Sequence, residues 1–167
     1  MAEYIIYADL HLGSPYEILE EIIPGKNTVL LGDNFEMKNI LQKDYERIKN
    51  LREETIKKVK ENGGIYVSGN HSLVQITPED FFHIREGILF MHGDVAAWGM
   101  KKSRNKRARK RVSKPYWYFI KYYKKITEFE GLFKKKYLKR AAEIAKEKKC
   151  HTVMMGHFHP KLMIDKV

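Results

Sequence analysis

The chain has 167 residues and a mass of 19.8 kDa, with 43% of its residues apolar; this suits one ordinary domain of about 100–200 residues and excludes a multidomain machine. Its 32 Lys and Arg against 21 Asp and Glu give a net charge of +11, yet residues 101–140 hold 17 basic and 2 acidic side chains, so that segment carries +15 and the other 127 residues −4. A single cysteine, Cys150, excludes an internal disulfide framework. No basic leader followed by an apolar stretch opens the chain, and nowhere do about 18 apolar residues run together. A soluble cytoplasmic protein is expected, at most peripheral to a membrane.

In chain order, Tyr4–Ala8 reads as a first buried strand and runs into Asp9-Leu10-His11-Leu12-Gly13. Thr28–Leu31 is a second, followed by Gly32-Asp33-Asn34-Phe35-Glu36. The charged stretch from Asp44 to Asn62 carries Ile48, Leu51, Ile56 and Val59 at helical spacing and is closed by Gly63-Gly64, which predicts a crossover helix. Ile65–Val67, a third strand, leads to Ser68-Gly69-Asn70-His71-Ser72, and Ile88–Met91, a fourth, to His92-Gly93-Asp94. From Lys101 the composition changes: 9 of the 20 aromatic residues fall in 101–140, among basic side chains. Two helices are expected here, near 115–129 with Pro115 in the first turn and near 132–149, broken at Gly131. Tyr116, Phe119, Tyr123 and Ile126 would form one stripe of the first. Thr152–Met155 is the fifth strand and ends in Gly156-His157-Phe158-His159. The expected fold is α/β within a single domain spanning 1–167: a layered mixed β-sheet, parallel at its centre, with a basic aromatic helical insertion at about 101–149 between the fourth and fifth predicted strands.

In open α/β sheets ligands bind outside the carboxyl ends of strands, so five strands that each deliver polar residues there would build one site. Five of the seven histidines are among them. Two aspartates, an amide oxygen and several imidazoles form a mixed oxygen and nitrogen donor set, which suits Mn, Fe, Co, Ni or Zn better than Mg or Ca. An aspartate shared between two ions would hold them about 3.5–4 Å apart, with a bridging water as hydroxide for in-line phosphoryl displacement. Singly, each motif is weak: Asp-x-His is also a capped turn, Gly-Asn-His a tight turn, and His157 with His159 a pair on one side of a strand. Their conjunction is what points to metal. His83 and His151 fit no motif and read as ordinary surface or capping residues, while Asp94 and Glu36 read as supports or as turn and solvated groups, not as ligands.

Asp9-x-His11, Gly32-Asp33, Gly69-Asn70-His71, His92 and Gly156-His157-x-His159, in this order, resemble the calcineurin-like metallophosphoesterase superfamily over residues 9–159. The resemblance implies an αββα-type metallophosphoesterase fold and two divalent metal ions, with Mn first and Fe, Zn, Co or Ni as substitutes. Asp9, His11, Asp33 and His159 would hold one ion, and Asp33, Asn70, His92 and His157 the other. His71 would be the catalytic residue, facing the scissile phosphate as acid or charge stabiliser. Asp9-Leu10-His11-Leu12-Gly13, Gly32-Asp33-x-Phe35-Glu36, His92-Gly93-Asp94 and the basic aromatic insertion are more narrowly similar to the UDP-2,3-diacylglucosamine diphosphatases, where the insertion is a lid over acyl chains. Three departures stand out, the mildest being Gly32-Asp33-Asn34-Phe35-Glu36 where the superfamily form is Gly-Asp-x-x-Asp, a change shared with the lid-bearing branch. Ser72 occupies the place where the superfamily usually has Asp or Glu, so the carboxylate partner of His71 is missing from that position, and eight residues follow His159 where relatives usually add strands, the pattern of a minimal or truncated version.

The expected function is therefore hydrolysis of a phosphate ester or pyrophosphate bond by metal-bridging hydroxide, with a nucleotide-linked lipid as the first substrate class. The alternatives are a nuclease or nucleotide phosphodiesterase and a non-catalytic phosphoesterase-like binding scaffold. The partner is an anionic, phosphate-containing substrate. Residues 101–126 are read as a lid, as a peripheral membrane contact, as a nucleic-acid surface or as a merely solvated basic face.

Overall fold

The computed structural model describes residues 3–13, 21–38, 40–72, 81–100 and 131–157; the helix expected near 115–129, the basic run 101–126 and His159 lie outside them. Strands β1 (Ile5–Tyr7), β2 (Thr28–Leu31) and β3 (Ile65–Val67) lie side by side in that order, all parallel, with Ile6 opposite Val29 and Leu30 opposite Tyr66. A second sheet has the order β4 (Phe82–Arg85), β5 (Ile88–Met91), β6 (Thr152–Met155), with β4 antiparallel and β6 parallel to β5. The α/β class is as expected, and the strands divide between one parallel and one mixed sheet.

Strand β4 was not among the predicted strands. It exists because Glu86 and Gly87, with φ of 53° and 73°, make the two-residue turn with both central residues left-handed that matches strand twist, folding Phe82–Arg85 back onto β5. That turn also places His83 on the strand, and it belongs to none of the donor groups found among the described residues.

Alternation along the strands sets the layers. Val29, Leu31, Ile65 and Val67 face Phe90, Ile88 and Met154, so the two sheets pack on each other, with Tyr4 edge-on to Phe90 at a centroid distance of 5.2 Å. Tyr7 and Leu30 belong to the opposite face and pack with Val59 and Ile56 of helix α1 (Tyr45–Glu61). Leu89 and Met91 pack with Ala96 of helix α2 (Asp94–Trp98) and with Ala141 and Ala145 of helix α3 (Gly131–Glu147). The order is helix, sheet, sheet, helix. Helix α3 corresponds to the second helix of the expected insertion, and its small residues make it a core layer under the second sheet. No helix among the described residues is long and apolar enough to cross a membrane.

Helix α1 ends as Gly63-Gly64 predicts. The Gly63 N–H donates to Lys60 and the Gly64 N–H to Val59, closing the last turn before β3. The predicted apolar stripe is only partly right: Ile48 and Val59 are buried, but Leu51 is 40% exposed and Arg52 takes the inward place between them. Positions 48, 52 and 59 share one face at 3.6 residues per turn, whereas 51 does not. Arg52 is tolerated there because its Nη2 donates to the Tyr66 hydroxyl at 3.1 Å while the guanidinium lies over the same ring. At the far end of the sheets, Arg85 donates to the carbonyls of Lys26 and Gly63, tying β4 to loops of the first sheet.

This packing separates two apolar side chains of the same helix. Ile48→Ala should lower the unfolding free energy by about 2–5 kcal/mol, whereas Leu51→Ala should stay within about 0.5 kcal/mol of wild type, as read from denaturant midpoints. Equal effects would contradict the helix orientation.

Candidate metal centre

Residues that follow β1, β2, β3, β5 and β6 meet at one place. Pairing continues past the first two strand ends: the Asp9 N–H donates to Gly32, His11 to Asp33 and Leu12 to Asn34, and Glu36 returns a bond to Leu12. Segments 9–12 and 32–36 therefore run together, rejoining at the Leu12–Phe35 bridge. The chain achieves this through unusual backbone: Asp9, His11, Asp33 and His157 have φ of 57°, 51°, 49° and 86°. Non-glycine residues seldom adopt such values, which cluster where surrounding structure enforces them at functional sites. Four of the six such residues among those described are predicted ligands. Two of the preceding glycines are fixed by close approach: a Cβ at Gly32 would run into the His92 ring, and one at Gly69 into the Asp33 carboxylate and backbone.

Three groups of donor atoms, each within 4.8 Å, result: Asp9 with His11 and Asp33, Asp33 with His92 and His157, and His11 with Glu36 and His71. Asp33 belongs to the first two. One of its carboxylate oxygens accepts the His71 backbone N–H at 2.7 Å and the other lies 3.1 Å from His92 Nε2. Around that nitrogen also sit Asn70 Oδ1 and His157 Nδ1, both at 3.1 Å. A carboxylate oxygen, an amide oxygen and two imidazole nitrogens thus converge, an acceptor-rich set that one proton satisfies only in part. Asp9 Oδ2 accepts the His157 N–H at 2.6 Å, while Asp9 Oδ1 is buried with no hydrogen-bond partner among the described residues. Such an orphaned carboxylate oxygen beside imidazoles fits a divalent cation. Asp9, His11, Asp33, Asn70, His92 and His157 are brought together as the sequence predicts.

The third group is better explained by hydrogen bonding. Glu36 Oε2 lies 2.6 Å from His71 Nδ1 and 3.2 Å from His11 Nδ1, and the two rings meet edge to face at 4.8 Å. With Nδ1 turned towards Glu36, Nε2 is the ring atom of each that could act on a ligand or substrate. Glu36, buried rather than solvated, thereby supplies the carboxylate partner of His71 that position 72 lacks. Sequence inspection missed this because Glu36 reaches His71 only through the pairing of 9–12 with 32–36.

His157 lies beyond β6, where the sequence places it directly after the fifth strand, and not on a strand face. His92 Nδ1 faces the Leu31 carbonyl at 3.3 Å, while Asp94, buried as the first residue of α2, acts on His92 through its charge. Trp98, at the other end of α2, meets the His157 ring edge to face at 5.2 Å. No motif marks it; the one signal is an aromatic residue on the short run that follows His92.

Burial alone would hold His92 neutral, but Asp33, hydrogen-bonded to it, together with Asp9 and Asp94 raises its pKa to about 9. Burial likewise disfavours the Asp33 anion, and His92, His71 and His11 outweigh it, holding that carboxyl well below its ordinary range. For His71, burial is overcome by Asp33 and Glu36, with a net upward shift.

For the protein without metal, the signs give a stability window. His92 is raised, so its contribution is complete below about pH 6.5 and fades as pH climbs through about 9. Asp33 is lowered, so its contribution holds above its ordinary pKa of 3.8 and fades as pH falls below it. Melting temperature without metal should therefore peak between these limits. Because a coordinating imidazole must give up its proton, Mn²⁺ binding at pH 7 should release protons, read as calorimetric heats that vary with buffer ionisation enthalpy; heats independent of buffer would contradict the protonated state of His92. No family model matches the chain, and neither a curated protein nor a solved structure matches it.

Proposed function

We propose that the chain is a dinuclear metal-dependent phosphoesterase with the αββα metallophosphoesterase architecture, hydrolysing a phosphate ester or pyrophosphate bond in an anionic substrate. The observation that carries this reading is the buried Asp33 carboxylate, common to the group with Asp9 and His11 and to the group with His92 and His157. Asp9, His11 and Asp33, joined in the resemblance by His159, would hold one ion; Asp33, Asn70, His92 and His157 would hold the other. Mn²⁺ is the first choice for this donor set, with Fe, Zn, Co and Ni as substitutes. When bound, two divalent ions supply polarisation of a phosphoryl oxygen and a water of lowered pKa.

The chain's own groups do the rest. Asp9 and Asp33 provide negative charge that only partly offsets two divalent cations, leaving a surplus that attracts phosphate. Glu36 fixes the His71 ring through Nδ1, which leaves Nε2 to protonate the leaving oxygen or stabilise charge on the phosphoryl group. The segment 101–126, basic and aromatic, would recruit or cover the substrate, with a nucleotide-linked lipid as first choice and a nucleotide or nucleic acid as second. The −4 body favours this division, since the ligands sit in it and the cationic charge is concentrated in one insertion.

Hydrolysis of bis(p-nitrophenyl) phosphate should require Mn²⁺ and be abolished by EDTA; activity indifferent to both would refute the proposal. His71→Ala should retain Mn²⁺ while slowing turnover by roughly 10²–10⁴-fold, and an unchanged rate would remove its role. Glu36→Gln, which keeps the shape but not the charge, should cost about 10–100-fold in activity. Full activity in that variant would show that Glu36 does not orient His71.

A further inference from the structure

His157 follows the end of β6, at φ 86°, and its main-chain N–H is fixed on Asp9. Among the described residues, two rings meet its own edge to face. His92 meets it at a centroid distance of 4.9 Å and 77°, and Trp98 at 5.2 Å and 85°. His92 is itself a ligand candidate, so it shares whatever becomes of His157 on metal binding, whereas Trp98 offers no metal-binding atom. The indole is carried on α2, which follows His92 directly and is also held by packing away from the centre. Val95 and Ala96 are buried, Ala96 packs with Ala141 and Ala145 of α3, and Val95 packs with Phe81 and Ile144. One short segment thus delivers His92 to the centre and, a turn and a half later, a rigid aromatic wall against His157.

Resting on the metal-centre reading above, we propose that Trp98 is a positioning residue for His157, selectively preorganising the ion site built from Asp33, Asn70, His92 and His157. His157, which it touches, belongs to the group with Asp33 and His92 and not to the group of Asp9, His11 and Asp33, so the two ion sites should respond differently to its loss. Outer-shell partners that fix a ligating imidazole commonly change metal affinity by about 10–100-fold. Trp98→Ala should therefore weaken one of two Mn²⁺ affinities by about 10-fold or more and leave the other near wild type. Trp98→Phe, which preserves an aromatic wall, should restore most of it.

Mn²⁺ titration of the full chain by calorimetry and by the free-Mn²⁺ electron paramagnetic resonance signal reads both affinities. Loss at one site in Trp98→Ala with recovery in Trp98→Phe supports the assignment. Equal loss at both sites, or no loss, overturns it, since general destabilisation would not choose between ions. If Trp98→Ala does not fold, Trp98→Leu takes its place: selective loss supports the role of the aromatic edge, and unchanged affinity overturns it. Wild-type protein that takes up no Mn²⁺ overturns the phosphoesterase reading and this inference together, whereas wild-type uptake with unaltered variants overturns only this inference.

Discussion

The centre depends on keeping Asp33 ionised where almost no water reaches it. A desolvated carboxylate is tolerated in a protein interior only when opposite charge and hydrogen-bond donors stand close by. Here they come from three directions: the backbone of His71 after β3, the ring of His92 after β5 and the more distant charge of His11 after β1. His92 belongs to the second sheet and Asp33 to the first, so the buried pair at 3.1 Å fixes the alignment of the two sheets at the ligand end. Arg85 performs a similar alignment at the opposite end, through neutral carbonyls at an exposed position. The apolar seam of Val29, Leu31, Ile65, Val67 and Phe90 between them fills the space without dictating register so tightly.

Backbone conformation carries part of the cost of this arrangement. Left-handed φ at Asp9, His11, Asp33 and His157 is unfavourable for each residue locally, and a short polar side chain bearing a hydrogen-bonding group reduces that penalty for Asp. The gain is directional. Residues two apart share a face of a strand, so Asp9 and His11 would point the same way on a straight one; the left-handed turns after β1 and β2 are what bring their donor atoms and that of Asp33 within 4.8 Å of one another. Backbone strain and the clustering of donor atoms coincide here.

Much of this was legible in the sequence, and the reasons differ by element. Thr28–Leu31, Ile65–Val67, Ile88–Met91 and Thr152–Met155 were found to the residue because each is a short apolar run bounded by glycine or polar residues. The cluster was legible because its members directly follow those strands. Strand Phe82–Arg85 was not, since His83 and Arg85 break its apolar character and its turn uses Glu86 where Asn or Asp is usual. Leu51 was misplaced because apolar identity was taken as burial, when the inward position belonged to Arg52 and depended on Tyr66, fourteen residues away. The pairing of Glu36 with His71 and the contact of Trp98 with His157 were illegible for the same kind of reason. Each involves a histidine far off in sequence, and a linear pattern contains no term for that contact.

The bond from the His157 N–H to Asp9 Oδ2 joins residues 148 positions apart. Contacts of such separation form slowly, because a long loop must close before they contribute anything. During synthesis the first sheet and α1 can assemble while β6 is still unmade, and Asp9 then waits with neither of its carboxylate oxygens engaged by the turn that follows β6. Asp9 after β1 and His157 after β6 meet only once the chain between them has closed. A cation bound across them would act as a latch on the completed topology, binding the finished fold and holding its two ends closed, and it would have little to grip in any shorter intermediate.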